Sequence, residues 1–243
     1  MKQIEHARRT YGMSAITWWV IVVSPWLILV AFFVLLWLPQ TGDFTDELTH
    51  PRHPLEWTMF TVHVAAGIYG LRLAWLAKKN GEPARVYLFY ALFSVGLLWT
   101  AGEINAWGQK FVDYETPAWF AAHNEMGIVT LHNLAGWDNR NHWLRLAFAI
   151  GGFAGIAAQR SPRWQRIAAP SILASWFAAI ALKSLLDFWV KNFPINYSYD
   201  WALFEWVVNR LSKIVKIVVG IASLLYLWLN YTRLQRDWSK PAG

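Results

Sequence analysis

Six long apolar runs constrain this chain more than any other feature. They cover residues 16–38, 57–76, 86–102, 143–158, 167–186 and 211–231. A helix rises about 1.5 Å per residue, so crossing about 30 Å of hydrocarbon takes about 20 apolar residues. Most of the runs reach that length or come near it, and the fourth is the shortest. The spacing predicts an all-α, polytopic membrane bundle of six helices. No stretch between runs is long enough to bury a core of its own, so residues 1–243 form a single transmembrane domain. The first run is too long for the apolar core of a signal peptide, and no small-residue cleavage motif follows Leu38. It is expected to stay as a helix, kinked or loosened at Pro25.

Charge placement predicts orientation. Lys2, Arg8 and Arg9, then Lys78, Lys79 and Arg85, then Arg160, Arg163 and Arg166, and finally Arg233, Arg236 and Lys240 fall on one side of the alternating runs. The other side carries only Arg52, Lys110, Arg140, Lys191 and Arg210. Short cytoplasmic loops carry the excess of Lys and Arg. The pattern therefore places both termini in the cytoplasm and the chain in a bacterial inner membrane. The net charge of +7 reports this topology and does not point to nucleic acid. The 18 tryptophans suit anchoring at the membrane–water interface.

The chain has no cysteine, which removes thiolate metal sites, Fe–S ligation and cysteine nucleophiles. His63 is the one histidine inside a run. No second intramembrane histidine could join it on a haem, so it reads as a packed, hydrogen-bonded side chain and no haem is expected. Bound lipid is the expected companion.

Ionisable groups at membrane depth should face the protein interior and have partners. Gly96, Thr100 and Glu103 share a helical face, and Lys183 and Asp187 are spaced to pair along one helix. Glu205, Asn209, Ser212, Lys216, Gly220 and Ser223 recur at helical spacing as a polar stripe that should face other helices. The stripe reads as interhelical glue, with Lys213 and Lys216 partly reaching outward, or as one wall of a polar cavity shared with Glu103 and Asp187.

Residues 103–142 form a partly helical outer loop. Thr116 reads as the cap and Pro117 as the first residue of a short helix through Trp119 and Phe120. Asp200 reads as the cap of a helix leading into the last run. The outer loop adds Asn105, Gln109, Asp113, Glu115, His123, Asn124, Glu125, His132 and Asn133. No H-x-x-x-H or H-E-x-x-H spacing occurs there, so a metal or general acid–base site would need Glu103, His132 and Glu205 to converge from three segments.

One segment carries a resemblance. Gly102-Glu103-Ile104-Asn105-Ala106-Trp107-Gly108-Gln109-Lys110 is followed by Glu115-Thr116-Pro117, Asn124 and Leu131-His132-Asn133-Leu134. It resembles an uncharacterised family of bacterial multi-spanning inner-membrane proteins with the pattern G-E-E-x-x-W-G-Q-[RK], E-T-P-E and N-x-Q-x-E-x-x-L-H-N. The likeness implies a site and no particular reaction. Ile104, Ala118, Met126 and Ile128 replace polar residues of that pattern, while Glu103, Gln109, His132 and Asn133 keep it. Such a departure suits a protein kept for structure or binding.

Three functions remain open. The leading one is a non-catalytic accessory or structural subunit of a larger membrane complex, in contact with lipids and other membrane subunits. The second is a membrane-embedded, metal-dependent enzyme acting on a lipid or polyprenyl-type substrate at the outer leaflet, with Glu103, His132 and Glu205 as candidate catalytic groups or metal ligands. The third is a small transporter or channel, which the absence of an inverted repeat weakens.

Overall fold

The computed structural model describes residues 2–49, 54–112, 114–135, 141–193 and 199–239. Arg52, Asp113, Arg140 and Lys240 lie outside the described residues. The chain is all-helical, and the one β-feature among the described residues is an isolated bridge between Asn124 and Leu134. In order, the helices are α1 (Lys2–Tyr11), α2 (Ala15–Trp37), α3 (Gly42–Thr49), α4 (Pro54–Lys79), α5 (Ala84–Ile104), α6 (Gln109–Val112), α7 (Ala118–His123), α8 (Asn141–Ala157), α9 (Ala174–Asn192) and α10 (Tyr199–Trp238).

By length and composition, five helices among the described residues are fit to cross a membrane: α2, α4, α5, α9 with its preceding turn, and α10. The fourth apolar run forms α8, whose 17 residues rise only about 25 Å. It lies along α9 within the bundle. The fifth run begins as a helix later than expected. Ala168 and Pro170 are extended and only a 3-10 turn precedes Ala174, so the continuous helix runs on to Asn192. Proline lacks the N–H that a helix interior needs, which explains the delay. The sixth run extends at both ends into a single helix of 40 residues. Asp200 accordingly lies in the first turn of α10, where a carboxylate suits the positive end of the helix dipole.

Local chemistry sets the joints. The Ser14 hydroxyl accepts the Thr17 N–H at 3.0 Å and caps α2, which continues unbroken through Pro25. Gly81, at φ +75°, closes α4 with the Glu82 N–H returned to the Ala77 carbonyl at 3.0 Å. That left-handed step suits glycine and turns the chain straight into α5. The α4–α5 seam uses small residues. A methyl group on Gly70 would come within 2.1 Å of the Ser94 hydroxyl, and one on Gly67 within 2.6 Å of Leu98. Close approach of backbones at small residues is a common way to bind helices where no hydrophobic drive separates helix from lipid.

The hairpins α4–α5 and α8–α9 meet α10 mainly through α4 and α9, and α2 lies against α10 and α9. At one end of the bundle α1 meets the last turns of α10. Arg236 donates to the Arg9 carbonyl at 2.9 Å, and the Trp238 indole to Glu82 at 3.0 Å. Arg166 pairs with Asp237 at 2.5 Å, and Arg85 donates to the Arg163 carbonyl at 3.2 Å. The basic segments on the more positive side of the sequence thus gather at this end, opposite the loop that follows α5.

Candidate functional site

The chain reverses sharply after α5 through three consecutive residues of positive φ: Ala106 at 49°, Trp107 at 53° and Gly108 at 97°. Side chains rarely adopt this region, so a specific bond has to hold the turn. The Trp107 indole folds back and donates to Glu103 Oε1 at 2.8 Å, and its ring lies over Gly102. A methyl group on Gly102 would sit 2.9 Å from that ring. The Gly-Glu…Trp-Gly pattern therefore has a mechanical reason.

Glu103 also pins the distal part of the loop. Its Oε2 accepts the Leu131 N–H at 2.8 Å, the His132 N–H at 3.2 Å and His132 Nδ1–H at 2.9 Å. Because an ionised carboxylate only accepts, Nδ1 must carry the imidazole proton. In the neutral ring, Nε2 is then left as an acceptor.

Gln109 works in parallel. Its Nε2 donates to the Thr116 hydroxyl at 2.6 Å, and its Oε1 accepts the Val129 N–H at 3.0 Å. Thr116 in turn donates to the Gly127 carbonyl at 2.6 Å. It is thus occupied and does not cap the short helix, which begins at Ala118 with Pro117 in the cap position. Asn124 donates to the Thr130 carbonyl at 2.7 Å, and Asn133 to the Thr130 hydroxyl at 2.8 Å. These amides form a scaffold that presents His132.

Between α5 and α8 lies a cavity of about 560 Å³. Its apolar wall includes Trp99, Ile104, Leu131, Leu144, Phe148 and Val219. Its polar groups are His63, Thr100, Glu103, His132, Asn141, Arg145 and Lys216. Two of the wall residues, Trp99 and Leu144, are 50% and 60% exposed, so the cavity opens sideways onto the surface of the bundle.

Beside the cavity is a buried ionic network. Asp187, only 1% exposed, accepts from Arg145 Nη2 at 2.8 Å, from the Lys183 ammonium and from the Ser212 hydroxyl at 3.1 Å. Ser212 in turn accepts from Lys183 at 3.0 Å. The Lys183–Asp187 pair expected from their spacing is present, and Arg145 carries it to the cavity wall.

The structure places the other expected residues as follows. Glu103 and His132 meet directly, and Lys216 shares their cavity. The polar stripe of α10 is divided. Glu205 and Asn209 are exposed, Ser212 joins the ionic network, and Ser223 is buried with its hydroxyl on the Val219 carbonyl. The inward orientation expected of the whole stripe therefore fails at its first two members. Lys216 lines the cavity with Glu103, as in the second of the two readings of the stripe, and does not follow the outward reach of the first. At Gly220 the helices close, since a methyl group there would come within 2.8 Å of Val62 and 3.0 Å of His63. Asn105 is buried beside the Glu56–Lys110 pair, which is 2.9 Å long. Glu115 is exposed, as are His123, which bonds the Trp119 carbonyl, and Glu125. Among the described residues no three His, Cys, Asp or Glu side chains converge, so Glu205 does not complete a ligand set with Glu103 and His132.

Sequence reasoning missed Arg145 and underrated His63. Arg145 is a lone charge in an apolar run, a signal that membrane burial makes informative. His63 is packed as expected, with Nδ1 2.8 Å from the Met59 carbonyl, yet it also lines the cavity.

No family model, no curated protein and no solved structure matches this chain.

Proposed function

We propose that this chain is an integral protein of a bacterial inner membrane, crossing it six times with the short α8 counted as a span and both termini cytoplasmic, that holds the head end of a lipid or polyprenyl-type amphiphile between α5 and α8. It serves as a binding or accessory component of a larger membrane assembly and not as its catalyst. The observation that carries this reading is the sideways opening of a largely apolar cavity at Trp99 and Leu144. A few convergent polar groups in an apolar hollow are what an amphiphile requires. The basic end formed by Arg9, Arg85, Arg163, Arg166 and Arg236 supports the orientation. The non-catalytic role is supported by Glu103, whose oxygens already accept four donors and are committed to holding the loop.

The test is lipid analysis of the chain purified in mild detergent. A stoichiometric amphiphile should survive washing in the wild type and be lost from Val219→Trp, which narrows the cavity. Identical lipid content in the two proteins would refute the reading. Purification as a lone, homogeneous monomer would argue against the accessory role.

A second reading, an enzyme acting on the same class of molecule, is favoured by one geometry. Glu103 fixes the His132 ring through Nδ1 and leaves Nε2 as a proton acceptor on the cavity wall. In that case His132 is the acid–base group and Glu103 its orienting partner. Conversion of the bound amphiphile by the wild type and none by His132→Gln would select this reading.

A further inference from the structure

Three charged side chains line the cavity, and their partners differ. Arg145 is held by Asp187. Glu103 is held by Trp107 and by the Leu131–His132 segment. Lys216 makes no salt bridge and no side-chain hydrogen bond among the described residues, and Glu56, the one carboxylate whose field reaches it, is paired with Lys110 at 2.9 Å. Its neighbours one turn away are closed to it: Ser212 is engaged by Asp187, and Gly220 packs against Val62 and His63.

An ammonium at membrane depth without a paired counter-charge is costly, and intramembrane ionisable groups persist where they pair or act. Lys216 lies near the middle of α10, 17 positions beyond Tyr199 and 22 before Trp238, too deep to escape to either end of that helix. Around the cavity and its adjoining network, Lys183, Arg145 and Lys216 face Asp187 and Glu103, and the Glu56–Lys110 pair close by adds no net charge. The excess is one positive charge, and it lies on the wall of the hollow.

We infer that the head group taken into this cavity is anionic, a phosphate or carboxylate, and that its negative charge is the missing partner of Lys216. This rests on the amphiphile reading above and narrows it. Lys216 supplies the direct contact. Arg145, engaged by Asp187, adds positive potential without a free fork of donors. The apolar wall at Trp99, Leu144 and Phe148 takes the chain next to the head.

The experiment uses the full chain in nanodiscs of neutral lipid. A labelled long-chain alcohol, its monophosphate and inorganic phosphate are the probes. The monophosphate should bind at least about tenfold tighter than the alcohol, the scale of one charge-assisted contact. Lys216→Met should erase that preference while leaving alcohol binding intact, and Lys216→Arg should keep it. Equal binding of alcohol and monophosphate by the wild type, or a preference that survives Lys216→Met, overturns the inference.

Val219→Trp separates the two readings. If it abolishes binding of both probes while the wild type does not distinguish them, the amphiphile site stands and the anionic head group falls. If it alters neither, the cavity is not the lipid site and both fall. Displacement of the monophosphate by inorganic phosphate at equal concentration identifies a free ion as the ligand and overturns the amphiphile reading.

Discussion

Glu103→Gln isolates what one carboxylate does for the loop beyond α5. The amide has a single oxygen to replace two. With that oxygen at the Oε2 position, the Leu131, His132 and Nδ1 donors keep an acceptor, and the amide nitrogen meets the Trp107 N–H. The reverse placement sacrifices three donors to save one, so the first is expected. Bonds to a charged acceptor contribute about 1.5–3 kcal/mol and neutral ones about 0.5–1.5 kcal/mol. Opening the Leu131–His132 segment breaks three such bonds together. Neutralising the acceptor should therefore ease that opening by about 3 kcal/mol, roughly a hundredfold in the equilibrium. Hydrogen exchange with mass spectrometry in nanodiscs reads this directly. The Leu131 and His132 amides should exchange roughly a hundredfold faster, while amides inside α5 keep their wild-type rates. Unchanged protection at Leu131 and His132 would show that Glu103 is not what holds the loop, and would remove the reason given for its burial.

Asp187→Ala leaves Arg145 and Lys183 buried together without a carboxylate, and breaking a buried pair from one side is expected to destabilise by about 3–5 kcal/mol. Lys183→Met should cost less by at least about 1 kcal/mol, since Arg145 and Ser212 still satisfy Asp187; equal melting temperatures for the two variants in detergent would contradict the network. Because the chain has no cysteine, Lys2→Cys, Glu115→Cys and Ser239→Cys can be labelled singly with an impermeant maleimide in oriented vesicles. Lys2→Cys and Ser239→Cys should react from one face and Glu115→Cys from the other, and any other partition rules out the proposed topology.

The helices were legible because apolar length is a strong signal and the bilayer thickness is fixed. Their ends were less so. Pro170 delays the helix of the fifth run, and the polar stretch from Tyr199 to Arg210 joins α10 because helix continuity does not depend on hydropathy. At the site, Glu103 was visible as a carboxylate at the end of an apolar run, and Gln109, His132 and Asn133 as outer-loop residues that keep the pattern of the resemblance. Glu205 was misjudged because helical periodicity gives the face of a residue but not how far the neighbouring helices extend to cover it. Arg145 escaped because a run is read as an average, and one guanidinium among apolar neighbours barely changes that average. The pocket depends on a gap between α5 and α8, a matter of tertiary packing with no local trace.

At 40 residues, α10 is about 60 Å long, around twice the thickness of the hydrocarbon layer. An uninterrupted rod of that length is stiff along its axis, and Lys216 lies near its midpoint. Any tilt about that pivot swings its two tips in opposite directions. The tip at Arg236 and Trp238 is tethered to Arg9 and Glu82, which ties this end of the rod to the first helix and to the turn between α4 and α5. A ligand held as proposed would press on this rod near its midpoint, with one tip already fixed.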